Sequence, residues 1–517
     1  MTADGLTSDE QRDVIAFLSD PATYDPQPDA VTRIDTHGAY VFAAGNEVFK
    51  IKRAVRYAYM DFSTLEKRRA ACAREVEINA PAAPQIYKGV VAVTRAAGGG
   101  LAIGGPGEPV EWAVHMARFR EEDVLVNRIN RRPLSVDEAK SLADAVAASH
   151  ARAAVVTTPP DAASIGSIAR NVLSDLLSLF GARDATLAAL AEGLTRQADA
   201  IRDLLQRRAR AGNVRRCHGD MHLGNIVFID GTPTLFDAIE FDETLATTDV
   251  LYDLAFLLMD LDHREQRPAA NAVLNRYVWR RQEFGDLESL AALPVFLALR
   301  AAIRAMVGAQ RAQITGQDRQ PARAYLERAR RYLDQVPPAL VLVGGLSGSG
   351  KSTLAAALAP DVGRAPGALH LRSDLERKAM LGAGELERLP QAAYSEDATA
   401  RVYRRILEKA EAALRAGHSV IVDAVHAHPE ERQSIAAVAG KTGAKLCAVW
   451  LDAPASVLMA RVAARKNDAS DATPQVVERQ LAYDTGVLEW TLIDASGTLE
   501  ETLRTALSHL HASIGPQ

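Results

Sequence analysis

The chain has 517 residues, 48% of them hydrophobic and 24% charged, with a formal charge of -5. That composition describes a soluble globular protein of two or three domains and gives no general reason to expect nucleic acid or an anionic membrane as a partner, although a local basic groove is compatible with the total. Cys72, Cys217 and Cys447 are far apart and form no CxxC pair, which excludes a disulfide framework or zinc ribbon and fits a reducing cytoplasm. The N-terminal stretch "MTADGLTSDEQRDVIAFL" is acidic before its apolar part, and no run is expected to reach the ~18 apolar residues needed to cross a bilayer.

In chain order, residues 31–52 ("VTRIDTHGAYVFAAGNEVFKIK") predict two short strands joined at "AAGNE", where Gly and Asn accept positive φ. "STLEKRRAACAREVEINA" has helical spacing, and "GVVAVTRA" and "VEWAVHMARF" predict strands flanking a loose glycine-rich loop, "AAGGGLAIGGPGEP". From about 134 to 212 the pattern is helical, opening at a capping-type Ser135 with Glu138 three residues later. The Arg-rich "LQRRARAGNVRR" reads as an exposed helix end or as a surface for an anionic substrate. Helices continue to "RAYLERARRYLDQ", where Pro337 and Pro338 end the last one and "ALVLVGG" opens a new apolar strand. The domain boundary is placed there, and no internal repeat is evident.

"RRCHGDMHLGNIVF" (215–228) gathers His218, Asp220, His222 and Asn225. A zinc-binding HExxH pair needs a continuous helix, which Gly219 and Gly224 oppose. The spacing suits a loop in which Asp220 faces a substrate hydroxyl and Asn225 turns its amide oxygen toward a divalent cation. Asp237, ending the short apolar run of "PTLFDAIEF", supplies a second hard oxygen for Mg²⁺.

"HGDMHLGN" followed by "LFDAIEF" and "DVLYDLAFLL" resembles the aminoglycoside phosphotransferase and choline kinase branch of the protein-kinase-like fold, over roughly residues 30–335. The resemblance implies Asp220 as catalytic base or hydroxyl-orienting group, Asn225 and Asp237 as Mg²⁺ ligands, His218 as a loop anchor, and Asp249 and Asp253 as braces from the following helix. His222 stays between packing and chemistry. A strand lysine paired with a helix glutamate is also implied. "EVFKIK" and "CAREVEI" offer Lys50 with Glu75, favoured because Lys50 shares a strand face with Val48, and Lys52 with Glu77 as the second pair. "THGAYVFAAGN" lacks GxGxxG, so the phosphate cover is looser than in protein kinases. "EWAVHMARF" is the interlobe segment, with backbone near Met116 meeting adenine.

"VLVGGLSGSGKSTLAAALA" satisfies the GxxxxGK[ST] template between an apolar strand and an amphipathic helix. Gly345, Gly348 and Gly350 let the backbone curl around phosphates, Lys351 reaches the β and γ phosphates, Ser352 holds Mg²⁺, and Thr353 joins the same cradle. Downstream, "LHLRSDLERKAML" places Asp374 and Arg377 one helical turn apart at a strand end, "GHSVIVDAVHAHPEER" ends a third strand at Asp423, and Arg461 and Arg465 fall at i and i+4. Residues 338–517 resemble the gluconate kinases, polynucleotide 5'-hydroxyl kinases and zeta-type toxins. That likeness implies Asp374 activating the acceptor hydroxyl, Arg377 positioning it, Asp423 supporting the Mg²⁺ shell, and Arg461 and Arg465 as lid arginines on one helix face, against a solvated face as the plain alternative.

The full-length order resembles fusion proteins described as bifunctional aminoglycoside phosphotransferase and ATP-binding proteins. The expected architecture is an α+β protein-kinase-like fold, with an N-lobe at 1–117 and a helical C-lobe at 118–336, followed by an α/β P-loop kinase domain with a parallel sheet at 337–517. The expected chemistry is Mg²⁺-dependent phosphoryl transfer from ATP or GTP to a hydroxyl group at two sites, in the cytoplasm. The expected acceptor is a small metabolite such as a sugar or polyol. For the P-loop half a nucleic-acid 5'-hydroxyl stands as an alternative, and either half could instead be a nucleotide-binding regulatory module.

Overall fold

The structure is a computed structural model that describes residues 9–57, 60–157, 164–466 and 468–515. Residues 1–8 of the acidic N-terminus and Asn467, in the polar segment after Arg465, lie outside them. The chain divides into two compact units: Met1–Leu134, Ala145–Ile168 and Ala209–Leu257 form the first, and Ser135–Asp144, Ala169–Arg208 and Leu258–Gln517 form the second.

Residues 31–52 form three strands, β1 (Val31–Asp35), β2 (Ala39–Ala44) and β3 (Glu47–Lys52), where two were expected. The additional reversal is closed by Thr36, whose N–H donates to Ala39 O at 2.9 Å and whose Oγ1 accepts from Ala39 N at 3.0 Å. Such a threonine turn carries a weaker sequence signal than the Gly-Asn pair beside it. Helix α1 (Leu65–Asn79) starts at Thr64, whose side chain accepts from Lys67 N. β4 (Tyr87–Arg95), β5 (Leu101–Ile103) and β6 (Glu108–Ala117) follow. β5 lies inside the stretch expected to be a loose loop, paired antiparallel with β4. The six strands order β1-β2-β3-β6-β4-β5. On one face Phe42, Phe49, Ile51 and Val93 pack with Val14 and Leu18. By strand alternation Val48, Lys50 and Lys52 occupy the other.

Helix α2 (Val136–Arg152) follows a reciprocal capping box, Ser135 N to Glu138 Oε2 at 2.9 Å and Glu138 N to Ser135 Oγ at 3.2 Å. Next come β7 (Val214–Arg216), the hairpin β8 (Ile226–Ile229) and β9 (Thr232–Leu235), then β10 (Thr247–Asp249), which pairs with β7, and α3 (Val250–His263).

In the second unit, helices α4 (Arg267–Arg281), α5 (Leu293–Thr315) and α6 (Gln320–Tyr332) precede a Rossmann-like layer. That layer runs β11 (Ala339–Gly345), α7 (Lys351–Leu358), β12 (Leu369–Arg372), α8 (Ser373–Met380), α9 (Glu396–Arg415), β13 (Val420–Asp423), β14 (Lys445–Asp452), α10 (Ala455–Ala463), β15 (Thr491–Asp494) and α11 (Leu499–Ile514). Its sheet orders β12-β13-β11-β14-β15, parallel throughout. Val341, Val343, Ile421, Val449 and Leu451 of the strands pack with Leu354 and Leu358 of α7 and Leu510 of α11, the continuous apolar burial that parallel strands require. The proline pair falls between α6 and β11, and packing gathers both sides of it into the second unit.

The expectation that no run is long and apolar enough to cross a bilayer is corrected. Phe284–Thr315 meets that length and composition, with a mean hydropathy of 1.8, but 72% of the window is buried inside the fold. It is a core helix whose alanines and leucines pack against neighbours, α6 among them.

Candidate active sites

The first site is built on β3, α1 and the two loops flanking β8 and β9. Lys50 Nζ lies 2.9 Å from Glu75 Oε1 and 2.6 Å from Asp237 Oδ1. Lys52 Nζ takes the other oxygen of Glu75 at 2.5 Å and also pairs with Glu240. Glu77 instead faces outward and pairs with Arg74 at 2.9 Å. Both lysines therefore share Glu75, because they are two residues apart on one strand face beneath one helix. Burial alone would lower the Lys50 pKa, but the charges of Asp237, Glu75 and Glu240 outweigh it and hold the ammonium well above the usual lysine range. For Asp237, burial acts upward and is overcome by Lys50, which lowers its pKa.

The loop after β7 is held by Asp253 of α3. Its Oδ1 accepts from Gly219 N at 2.9 Å, and its Oδ2 accepts from His218 N at 3.2 Å and lies 3.1 Å from His150 Nε2. Gly219 has φ +83, and a Cβ there would lie 2.9 Å from Ile239 Cδ1, so the sharp turn requires glycine. His218 donates from Nε2 to Phe236 O at 2.9 Å, and burial lowers its pKa. It anchors the loop against the segment that delivers Asp237. Asp249 Oδ1 accepts from Leu251 N at 2.8 Å, at the start of α3. Asn225 Nδ2 donates to Asp220 O at 2.9 Å and to Asp220 Oδ2 at 3.2 Å. With the amide nitrogen committed to Asp220, the amide oxygen is the atom left for a cation.

Asp237 sits at φ +59, its N–H donating to Tyr87 Oη at 3.1 Å, and its carboxyl feels the charge of Asp220. Its side chain is 41% exposed, so the carboxylate is reachable. His222 accepts from Gly224 N at Nδ1 (3.0 Å), leaving Nε2, 3.4 Å from Asp220 Oδ2, to carry the proton. With both rings engaged in this way, the two histidines form no zinc pair. His150, Cys217 and Asp253 bring ligand atoms within 4.8 Å of one another, but the Asp253 carboxylate is spent on the loop.

The strand expected over "VEWAVHMARF" forms and holds Met116, so the interlobe segment starts later than expected. Met116 lies within β6, paired with Val48 and Tyr87, and the chain leaves the sheet only after Ala117, where Arg118 N donates to Asn46 O at 2.8 Å. The interlobe segment thus begins at Arg118. An open cleft of about 1100 Å³ is lined by this segment together with Gly45, Phe228 and Asp230, and Lys50, Asp220, Asn225 and Asp237 are not among its lining residues.

The second site lies at the carboxyl ends of β11, β12 and β13, where an open parallel sheet places ligands. Gly348 (φ +88) runs so close to α10 that a Cβ would lie 2.5 Å from Leu458 O. Ser347 N donates to Gln480 Oε1 at 2.8 Å, and Gly350 caps α7 without any side-chain hydrogen bond, leaving the first-turn amides of Lys351, Ser352 and Thr353 facing an anion position. Lys351 Nζ arches back to Leu346 O at 2.9 Å. Burial lowers its pKa, opposed by Asp423 and Asp374 and reinforced by Arg465 and Arg372.

Asp423 ends β13, 3.5 Å from His370 and 3.8 Å from Arg372. Burial pushes its pKa up, yet His370, Arg372 and Lys351 together hold it down to about 2. Asp374, in the first turn of α8, is surrounded by Arg372, Asp423, Ser470 and Lys351, and burial raises its pKa.

Two expectations are corrected here. Arg377 spends Nη1 on Ala393 O (2.6 Å) and Nη2 on Thr399 Oγ1 (3.3 Å) and stacks over Tyr394; it holds the loop before α9 although it feels the Asp374 charge. Arg461 and Arg465 share no helix face. α10 ends at Ala463, Arg461 turns to Gly497 O at 3.1 Å, and Arg465 lies beyond the helix end, 3.8 Å from Asp468 and close enough to act on Lys351.

A family model described as phosphotransferase enzyme family matches residues 56–293, and one described as an AAA domain matches residues 340–485. An uncharacterized protein of Mycobacterium tuberculosis (strain H37Rv) is 30% identical over 490 residues, covering 91% of this chain and 94% of its own, as is its counterpart in Mycobacterium bovis. The chain belongs to this family of fusion proteins, phosphotransferase first and P-loop kinase second. Among solved structures, a choline/ethanolamine kinase family protein from Mesorhizobium loti is 16% identical, covering 63% of this chain and 96% of its own with a TM-score of 0.40. A gluconokinase from Sinorhizobium meliloti 1021 is 24% identical, covering 35% and 95% with a TM-score of 0.26.

Three residues of the fusion escaped the sequence reading. In the phosphotransferase half, Glu240 pairs with Lys52 and Tyr87 fixes the Asp237 backbone. The Glu240 signal was present in "DAIEF", an acid three residues past Asp237. In the P-loop half, Arg372 stands between Asp423 and Asp468 (3.6 Å). Its signal was its position as the last residue of a parallel strand.

Proposed function

We propose that the chain is a Mg²⁺-dependent kinase with two phosphoryl-transfer sites, each moving the terminal phosphoryl group of ATP or GTP to a hydroxyl of a small metabolite such as a sugar or polyol. The observation that carries the first site is Lys50 held between Glu75 and Asp237, with the Asp220–Asn225 pair beside it. Asn225 and Asp237 offer the hard oxygen donors that Mg²⁺ prefers, and the ion when bound neutralises charge on the triphosphate. Lys50 addresses the phosphates, and Asp220 orients the acceptor hydroxyl and takes its proton, with His222 Nε2 against the same carboxylate. At the second site the amides at the start of α7, Lys351, Arg372 and Arg465 surround the phosphates. Asp374, whose pKa burial raises, is the better proton acceptor of the two acids there, and Asp423 with Ser352 supports the metal shell. The sugar or polyol class rests on the likeness of residues 338–517 to gluconate kinases, and three buried free cysteines fit a reducing cytoplasm.

The test is a mass-spectrometric screen for added phosphate across metabolites and 5'-hydroxyl oligonucleotides, using the full chain, Asp220→Ala and Lys351→Ala. Two product sets, each lost in one variant, are expected. If either substitution leaves every ATP-dependent product unchanged, that site is no kinase. A salt-sensitive oligonucleotide product lost in Lys351→Ala would instead assign the P-loop half a polyanionic acceptor.

A further inference from the structure

β12 is an edge strand of the parallel sheet, and an edge presents backbone N–H and C=O groups that need partners. Here they are met by side chains of α4, a helix on the amino-terminal side of the proline pair. Asn275 Oδ1 accepts from His370 N at 2.6 Å, while Asn271 Nδ2 and Asn275 Nδ2 donate to Ala368 O at 3.0 and 3.2 Å. One turn further along α4, Trp279 Nε1 donates to Leu375 O in α8 at 3.2 Å. Arg276 stacks on Trp279 and binds Asp144 through two contacts of 2.7 and 2.8 Å and Glu385 Oε2 at 2.6 Å. Lys140 takes the other Glu385 oxygen at 2.7 Å, and Lys378 of α8 donates to Glu385 O at 2.7 Å.

These contacts end on the residues beside the chemistry. The backbone that Asn275 holds belongs to His370, whose ring lies 3.5 Å from Asp423. The carbonyl that Trp279 holds belongs to the residue after Asp374. Glu385 clamps the far end of α8 through Lys378.

We infer that Asn275, Arg276 and Trp279 are positioning residues for the P-loop site: α4 seals the open sheet edge and fixes the helix that carries Asp374, so acceptor-side chemistry depends on α4 while the nucleotide cradle does not. The inference rests on reading that site as a kinase with Asp374 at its acceptor end.

The test uses the full chain carrying Asp220→Ala, so that the first site is silent, with MgATP as donor and water as the acceptor. Hydrolysis removed by Lys351→Ala is the signal. Arg276→Gln, Glu385→Gln and Trp279→Phe are each expected to lower its kcat, by about tenfold for Arg276→Gln, with the KM for ATP within about twofold. Arg276→Lys recovers most of the loss, and Arg276→Gln with Glu385→Gln together does no more than either alone, as coupled partners should. Hydrogen exchange decides the positioning without turnover: in Asn275→Leu, amides of 369–380 exchange faster while those of 345–352 keep their protection. Unchanged exchange at 369–380 overturns the inference, as does a loss of protection spread evenly over the sheet or a kcat and KM that change together. If Lys351→Ala leaves hydrolysis untouched, the kinase reading of the site falls instead, and the exchange result still decides whether α4 positions α8.

Discussion

The two lysines proposed to address phosphate live in different electrostatic company. Lys50 is wedged between Glu75 and Asp237, and despite burial its pKa is driven up by surrounding acids. Lys351 sits on a backbone carbonyl among both signs, Asp423 and Asp374 opposed by Arg465 and Arg372, and burial drives its pKa down. At an effective dielectric of about 20, two unit charges about 4 Å apart interact by roughly 4 kcal/mol, so these surroundings decide how each cleft receives a polyanion. The first, where Asp220, Asp237, Glu75 and Glu240 surround Lys50 and Lys52, would on the proposed reading need a cation before it receives a triphosphate. The second, where helix-start amides, Lys351, Arg372 and Arg465 stand beside Asp374 and Asp423, would on the same reading need a cation less. On the proposed reading, one reaction class would be approached once through metal-dependent charge inversion and once through a preformed anion cradle.

The largest test of that contrast is removal of the acceptor-facing acids. Asp220→Asn and Asp374→Asn are each expected to lower their own product by roughly 10²- to 10⁴-fold and leave the other within about twofold; a substitution that depresses both products would break the picture of independent centres. Acid stability should separate the units next. Burial holds His418 at about 4 and His426 at about 3, below the ordinary histidine value of 6.5. Their unfolded forms take up protons first as pH falls, so stability is intact above about pH 6.5 and declines toward pH 4, by on the order of 3 kcal/mol for His418 alone. Urea unfolding at pH 7 and 4.5, followed by exchange in the P-loop sheet, should show a smaller decline in His418→Asn, and an equal decline would discount the group.

Chelation sharpens the comparison further. Adding EDTA is expected to weaken nucleotide binding by about 100-fold or more in Lys351→Ala, which retains only the first site, and by about tenfold or less in Asp237→Ala, which retains only the second. Titration with a fluorescent ATP analogue reads both, and equal losses would erase the distinction between the clefts. The smallest expected effect separates the two arginines after β14. Arg465→Ala lowers P-loop turnover by roughly tenfold, whereas Arg461→Ala, which removes bonds to Ser496 O and Gly497 O, changes it by less than about twofold. Steady-state kinetics in the Asp220→Ala background would reveal a reversed order.

The parts of both centres legible in the sequence are those whose constraint is local. A P-loop needs glycines at fixed offsets between a strand and a helix, and the Asp220 loop needs Gly219 at its turn, so each motif carries its geometry within a few residues. Lys50 with Glu75 followed from the family resemblance, with the strand face shared by Val48 favouring Lys50. What escaped is set by termini and tertiary partners. Helical spacing put Arg461 with Arg465, but α10 stops at Ala463. The strand over "VEWAVHMARF" is legible, but its end is not, since nothing local in "EWAVHMARF" shows that pairing on both sides keeps Met116 in the sheet. Asn271 and Asn275 resemble any polar helix face until the strand edge they cover is known. The long apolar segment at 284–315 was overlooked since its alanines, interrupted by a few charges, do not look like a continuous run.

Glu75 has only two carboxylate oxygens, and each is occupied by a different lysine. One side chain thereby aims two neighbouring ammonium groups, and a glutamine in its place would remove the charge they share, leaving Lys50 to Asp237 and Lys52 to Glu240. A change at position 75 is consequently felt at 50 and 52 together, and Lys52, which never meets the nucleotide in this scheme, shares a partner with the lysine that does.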